Sequence, residues 1–289
     1  MADLAIATHA DQPGLTADDE LLGEALTQQG VTWTAMPWTS AEADWSRFGA
    51  VLIRSTWDYH EKTGAFLAWI ASLDARGTIV WNPADTIRRN IDKRYLQELA
   101  SAGVTTVPTT WLARGAEHVD VRSIASARGW TEIIAKPAIS AGGRGIIRWS
   151  AADDHAPDEA LVALATDSDV LVQPFLPEVL AGELSFIFFD GGLSHVVQKV
   201  PRTGDFRVQA KFGGRVERVD PPQALIDQAH RAAELAGGDL YARVDGIPVG
   251  DRLVVMEVEL TEPDLFFLAA PDAATTFATA IRRRLPTST

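Results

Sequence analysis

The 289-residue chain contains no cysteine. A disulfide framework, a thiolate zinc site and a cysteine nucleophile are therefore excluded. Lysine is scarce as well: of 26 basic residues only Lys62, Lys93, Lys136, Lys199 and Lys211 are lysines. Each is a candidate for a task that needs a compact ammonium, with ordinary surface scatter as the plain alternative. No apolar run reaches the roughly 18 to 20 residues that cross a bilayer. The start "MADLAIATHADQ" lacks a basic stretch followed by an apolar one. A soluble, cytoplasmic protein with no membrane partner is expected. Positive charge is also in deficit overall, and a formal net charge of −13 argues against a protein whose work is gripping nucleic acid. An anionic ligand would need a local basic pocket.

Hydrophobic residues make up 46% and charged residues 22%, the balance of a soluble globular protein. The length suggests two or three sub-domains within one continuous structure. Over the first 85 residues strand and helix alternate. "LAIAT" (4–8) reads as a strand, "TADDELLGEALTQQG" as a helix capped by Thr16 and closed at Gly30, and "VTWTAMPW" as a strand. "AVLIRSTWDY" (50–59) reads as a third strand running into a polar loop and "TGAFLAWIASLDARG" (63–77) as a helix. This alternation implies a small parallel sheet, with ligands gathering at the strands' carboxyl ends, where His9 and Arg54 through Tyr59 fall.

After the turn signal "WNPADT" a helix is expected over 87–103, and then the pattern changes. "TTVPTTWLA", "TEIIAKPAISAGGRGIIRWS" and "DVLVQPFL" look like strands around a glycine loop, and "GELSFIFFDGGLSHVVQKVP" like a Gly-Gly hairpin. A helix near 221–237 leads to two strands joined by "GIPVGD" and a last helix over 271–284. In "VVMEVELTEPDLFF" (254–267), period two puts Val254, Met256, Val258 and Leu260 on one face, Glu257 and Glu259 on the other.

"AKPAISAGGRG" (135–145) pairs a strand-end lysine with a loop freed by Gly142, Gly143 and Gly145. Such loops let backbone N–H groups converge on phosphate, though a plain hairpin turn would look the same. It is neither a Walker A motif nor GxGxxG at a first strand. The six histidines show neither HxH nor HExxH spacing, which argues against zinc catalysis; His9 and His60 stand where they could line an acceptor site.

Taken in order, "NIDKRYLQELASAGVTTVPTT", "AKPAISAGGRG", "LVQPFL", "QKVPRTGDFRVQAKFGG" and "RVDGIPVGDRLVVMEVEL" resemble the ATP-grasp superfamily, in its glutathione-synthetase-like branch of carboxylate–amine ligases. The resemblance spans about 85–262. It implies an α/β ATP-grasp fold: a parallel βα domain (1–86), a central sub-domain (87–176) and a C-terminal one (177–289), the last two sandwiching ATP.

By the same resemblance Lys93 and Lys136 are nucleotide lysines, and Gly142, Gly143 and Gly145 form the loop that closes over the triphosphate. Gln173, Phe175 and Leu176 would meet the adenine edge through their backbone, and Glu183 the ribose, with Glu178 competing for that part. Arg207 would steady the transferring phosphoryl group, with Lys199, Arg202, Lys211 and Arg215 adding positive potential. Asp245, Glu257 and Glu259 would hold two magnesium ions. The branch carries Glu-x-Asn where this chain has Glu-x-Glu, and Glu262 becomes a possible substrate contact.

"RSTWDY", "GDFRVQ" and "LTEPDLFF" are further similar to the D-cycloserine synthetase subgroup, which implies closure of O-ureido-D-serine into a ring. Arg54, Ser55, Thr56, Asp58, Tyr59 and His9 would then meet the small amino-acid-like substrate, and Trp57 would touch it. An amino acid or peptide ligase is the alternative, a non-catalytic ATP-binding protein the second, a dehydrogenase a remote third. A homo-oligomer is expected by analogy alone.

Overall fold

The computed structural model describes residues 3–207 and 213–286; Lys211 lies outside them. Three sheets follow one another along the chain. The first holds β1 (Leu4–Thr8), β2 (Trp33–Pro37), β3 (Ala50–Ile53) and β4 (Ile79–Trp81), all parallel in the order β2-β1-β3-β4. Crossovers pass through α1 (Ala17–Gln28) and α2 (Thr63–Ala75). β1 and β3 are buried at every position, as parallel strands covered on both faces require. Thr16 caps α1, its hydroxyl accepting from the Asp19 amide at 3.0 Å, a contact worth about 1 kcal/mol.

The third strand ends at Ile53, and the polar segment expected after it begins at Arg54. The Arg54 amide donates to the Ala7 carbonyl and the Thr56 amide to Arg54, so the chain turns at Ile53 and enters a 3₁₀ turn, Trp57–Glu61. The single helix expected over 87–103 is two, α3 (Ala84–Asn90) and α4 (Tyr95–Ser101). The Lys93 amide leaves the helical ladder for the Ala138 carbonyl, and the Asp92 carboxylate takes the Arg94 amide.

The second sheet is antiparallel: β5 (Thr110–Leu112), β6 (Glu132–Pro137), β7 (Ile147–Ser150) and β8 (Val170–Pro174), in the order β5-β8-β6-β7. Helices α5 (Val121–Arg128) and α6 (Asp158–Ala165) cover it. Neither is expected from the sequence, and each is only two turns long.

The third sheet joins β9 (Glu183–Phe189), β10 (Gly192–Val200), β11 (Arg215–Val219), β12 (Tyr241–Val249) and β13 (Arg252–Glu259), in the order β11-β10-β9-β12-β13. The β9–β10 turn is Asp190-Gly191, both at positive φ, rather than Gly-Gly, and β12 runs on through "GIPV" to a turn at Gly250-Asp251. Helix α7 (Gln223–Ala236) packs on one face of this sheet. Helix α8 (Pro271–Arg284) packs on the other, in a core shared with the first sheet through Leu4, Leu26, Tyr241 and Phe277. Among the described residues no helix is long and apolar enough to cross a membrane.

One irregularity sets the site. The β12–β13 register shifts so that Asp245 pairs with Glu257 but Gly246 pairs with Val255, leaving Met256 as an extra residue. The bulge reverses the phase of β13. Leu253, Val255, Val258 and Leu260 point into the core under α7, while Met256 joins Glu257 and Glu259 on the opposite side. The expected face Val254-Met256-Val258-Leu260 is thus wrong for its first two members, because uniform alternation does not cross a bulge.

Candidate active site

A cavity of about 630 Å³ lies among the three sheets, within the range of small-molecule sites. The third sheet supplies its charged floor. Glu183 faces Lys199 across β9 and β10, Ser185 faces Asp245 across β9 and β12, and Asp245 and Arg243 face Glu257 and Glu259 across β12 and β13. Period two places all of them on one face. Arg243 binds both oxygens of Asp245, with contacts of 2.9 to 3.1 Å, and pairs with Glu259. Lys199 pairs with Glu183 and lies 3.2 Å from Asp245, which also accepts from Ser185. From the break between α3 and α4, Lys93 reaches Glu257 at 3.0 Å and donates to the Ser140 carbonyl of the glycine loop at 3.0 Å.

These pairings leave charge unevenly balanced. Burial works to raise the Asp245 carboxyl, but Arg243 and Lys199 hold it well below the usual range. Burial likewise opposes Glu257, and Lys93 and Lys136 hold it low. Burial pushes Glu259 up to about 8, with Glu257 and Asp245 adding to the push against Arg243. Glu262 is raised to about 7, by burial first and by Glu257 next, against Lys93. Burial pulls the Lys136 ammonium below the usual lysine range, with Lys93 assisting and Glu257 opposing.

Nine carboxylates line the cavity against six lysine and arginine side chains. Among the described residues no three acids or histidines form a ready-made metal cage. Magnesium rarely uses one: it takes hard oxygen ligands from one or two carboxylates, substrate phosphates and water. An oxygen-only donor set with surplus negative charge and two carboxyls forced upward fits that ion.

The second sheet forms the cavity's other wall. Lys136 is the last residue but one of β6, and Ser140 to Arg144 line the cavity, with Gly142 and Gly143 at φ 61° and 73°. Gly145 does not line it. A Cβ there would stand 3.1 Å from the Pro137 ring, so packing on β6 and a positive φ explain this glycine. Apolar side chains also line this wall, and Val179, Ile247 and Met256 cluster with Phe175 and Leu176. The Phe175 amide is already given to the Glu132 carbonyl at 2.9 Å, and the Gln173 amide group donates to Thr109. Of the backbone groups expected to meet an adenine edge, the Phe175 N–H is therefore already taken. Glu183 lines the cavity whereas Glu178 is exposed and does not.

Arg207 lines the rim, its guanidinium on Asp205 at 2.8 and 3.1 Å. Arg202 is exposed, packs against Gly213 and does not line the cavity, and Arg215 pairs with Glu217.

At the end nearest the first sheet stand His9, Trp57, Asp58, Tyr59 and His60, facing Glu262, Asp264 and Phe266. Asp58 is held by the Trp38 indole N–H at 2.7 Å and by Lys62 at 2.9 Å. Three expected substrate contacts are corrected. Arg54 is buried beneath the cavity, donating to Asp19 at 2.8 Å and to the Pro263 carbonyl at 2.9 Å, so it braces the 262–268 loop instead of clamping a substrate. Ser55 and Thr56 are buried beside it. The turn at Ile53 carries these three beneath the floor.

Arg243 is the main residue the sequence reading passes over. It sits two places before Asp245 on the same strand face, and that spacing was a signal available in "RVDG". Arg144 is the second; it pairs with Glu61 across the cavity mouth.

Residues 97–263 match the model of the prokaryotic glutathione synthetase ATP-grasp domain, and residues 4–82 that of the N-terminal domain of the D-cycloserine synthetase DcsG. The chain is 33% identical to the cycloserine biosynthesis protein DcsG of Streptomyces lavendulae, over 99% of each chain. It is 39% identical to a glutathione synthetase of Prochlorococcus marinus over 48% of this chain and 45% of that one. The crystal structure of D-cycloserine synthetase DcsG superposes with a TM-score of 0.87 at 30% identity, covering 99% of this chain and 100% of that one. The D-alanine–D-alanine ligase of Bacillus anthracis shares the fold, with a TM-score of 0.67 at 12% identity, covering 98% and 95%. The chain belongs to the ATP-grasp superfamily, in its glutathione-synthetase-like branch, and is an ATP-dependent carbon–nitrogen ligase.

Proposed function

We propose that the protein activates the carboxylate of a small amino-acid-like substrate as an acyl phosphate and lets a nitrogen of the same molecule displace the phosphate, closing O-ureido-D-serine to D-cycloserine with loss of the carbamoyl group from that nitrogen. One observation carries this reading: the likeness to DcsG runs the whole length of the chain, including the first sheet, whose strand ends supply the acceptor end of the cavity. Likeness confined to the ATP-grasp part would support a ligase of any acceptor.

In this reading the triphosphate lies against Lys93, Lys136 and the 140–144 loop, with the base against the apolar cluster of Phe175, Leu176 and Met256 and the ribose near Glu183. Asp245, Glu257 and Glu259 would hold magnesium. The surplus of carboxylates, to which a triphosphate adds further negative charge, favours two ions over one. When bound there, magnesium would supply neutralisation of the phosphate charge that otherwise repels the substrate carboxylate. Lys199 and Arg207 steady the transferring group. Glu262 and Asp58, with His9, Trp57 and Tyr59, meet the substrate. No enzyme nucleophile is needed.

The test is phosphate release with ATP and magnesium over ureido-, amino- and hydroxy-acids of both hands, with mass analysis of the product. O-ureido-D-serine is expected to release phosphate and give the ring. Phosphate release only with two separate amino acids would replace cyclisation by intermolecular ligation. Glu257→Gln is expected to lower turnover about 10²- to 10³-fold in protein that still folds, and a fully active Glu257→Gln enzyme would remove the metal assignment.

A further inference from the structure

Glu262 stands apart among the nine carboxylates that line the cavity. Asp11 and Asp264 are exposed to water, and six of the others each pair with a lysine or arginine. Glu262 is only 9% exposed and takes no hydrogen bond or ion pair from any other described residue; only its own main-chain N–H assists it. Lys93, the cation whose charge acts on it most, is already paired with Glu257 and the Ser140 carbonyl. A buried carboxylate without a partner is costly and calls for an explanation. The segment that carries it is braced at four successive carbonyls. Trp57 donates to Glu262 at 3.4 Å, Arg54 to Pro263 at 2.9 Å, Arg243 to Asp264 at 3.1 Å and His195 to Leu265 at 2.9 Å. The carboxylate is thus fixed before any ligand arrives, as a binding group should be.

We propose that Glu262 receives the α-ammonium group of the substrate, an inference that rests on the amino-acid ligase reading given above and not on ring closure. Only a cation both donates hydrogen bonds and cancels the charge of a buried carboxylate; a neutral ureido N–H does the first alone. Position agrees with this. In an α-amino acid the ammonium is carried on the carbon next to the carboxylate, so when that carboxylate meets the γ-phosphoryl group the partner of the ammonium must lie beside the phosphate lysines. Glu262 does, since Lys93 and Glu257 are the charges that act on it most. Asp58, also at the acceptor end, already has its two oxygens taken by Trp38 and Lys62. An amino acid with a free ammonium therefore completes the pocket, whereas a desamino compound leaves Glu262 buried and unmatched.

Phosphate release with ATP and magnesium is measured for O-ureido-D-serine and for the same molecule with hydrogen in place of its α-amino group, in wild type, Glu262→Gln and Glu262→Asp. Wild type is expected to favour the amino compound in kcat/KM by about 10²- to 10⁴-fold, and Glu262→Gln by less than about tenfold. Glu262→Asp, which keeps the charge, is expected to retain a preference between these. Glu262→Gln is also expected to melt at or above the parent temperature, because it removes an unpaired buried charge. An equal preference in wild type and Glu262→Gln would overturn the proposal, as would no preference in wild type. A Glu262→Gln protein that melts well below the parent would overturn it too, since the carboxylate would then have a structural partner. So would a raised magnesium requirement with the preference intact, which would give Glu262 to the metal. Phosphate release is scored whether or not a ring forms. Release from O-ureido-D-serine without ring product would therefore remove the cyclisation reading while the ammonium contact stands or falls on the preference alone. If wild type turns over only another amino acid, the same comparison is made with that compound and its desamino analogue.

Discussion

Arg54 and Arg243 are both buried arginines, and their partners separate their duties. Arg54 joins Asp19 on α1 to the Pro263 carbonyl, two segments far apart in the chain, and touches nothing in the cavity. Its loss strands Asp19 in the interior. Arg54→Ala is therefore expected to destabilise the fold by about 3 to 5 kcal/mol, measured by urea denaturation, with loss of the whole activity following loss of folded protein. A stable variant with only a raised KM for the acceptor would return Arg54 to the substrate. His195 gives a pH signature. Its Nε2 donates to the Leu265 carbonyl at 2.9 Å, and burial holds its pKa at about 4, below the ordinary 6.5. Because the folded value is depressed, the stabilisation is complete above pH 6.5 and is lost as pH falls toward 4. Thermal melts of the parent and His195→Gln across pH 7 to 4 should show a steeper decline for the parent. Parallel curves would mean that another group controls that window.

Among the elements, β13 has the largest consequence. Its bulge at Met256 puts Glu257 and Glu259 on the cavity side while Leu253, Val255, Val258 and Leu260 stay in the core. Gly246, opposite the irregularity, makes this possible. A Cβ there would lie 2.7 Å from Leu253 Cδ1 and 3.0 Å from the Val254 carbonyl oxygen. Gly246→Ala is expected to cost about 1 to 3 kcal/mol by overpacking, read as a lowered urea midpoint, and to impair turnover beyond the loss of folded enzyme. An unchanged midpoint would show that the strand relaxes freely. The two carboxylates were legible because paired acids on a strand stand out against period two. The bulge was not, because a single residue with no glycine or proline signal of its own carries it. The break between α3 and α4 was equally hidden, since it depends on the Ala138 carbonyl, 45 positions beyond Lys93.

Over the whole molecule, the first and third sheets share one core through α8, Tyr241 and Leu4, while the second sheet packs its own core under α5 and α6. The cavity lies where these two bodies meet, so its walls come from 9 through 266 and no stretch of sequence contains it. Ordered motifs made the fold and the floor of the site readable in advance. The corrections at Arg54 and the Phe175 amide concern which hydrogen-bond partner wins, and those partners, Asp19, Pro263 and Glu132, are distant in the chain. The central claim is that this cavity converts a substrate carboxylate to an acyl phosphate. It is tested most directly by a single turnover with ATP, magnesium and O-ureido-D-serine labelled with ¹⁸O in the carboxylate. The account predicts ADP together with inorganic phosphate carrying one ¹⁸O atom. Unlabelled phosphate, or label found in AMP, would contradict it.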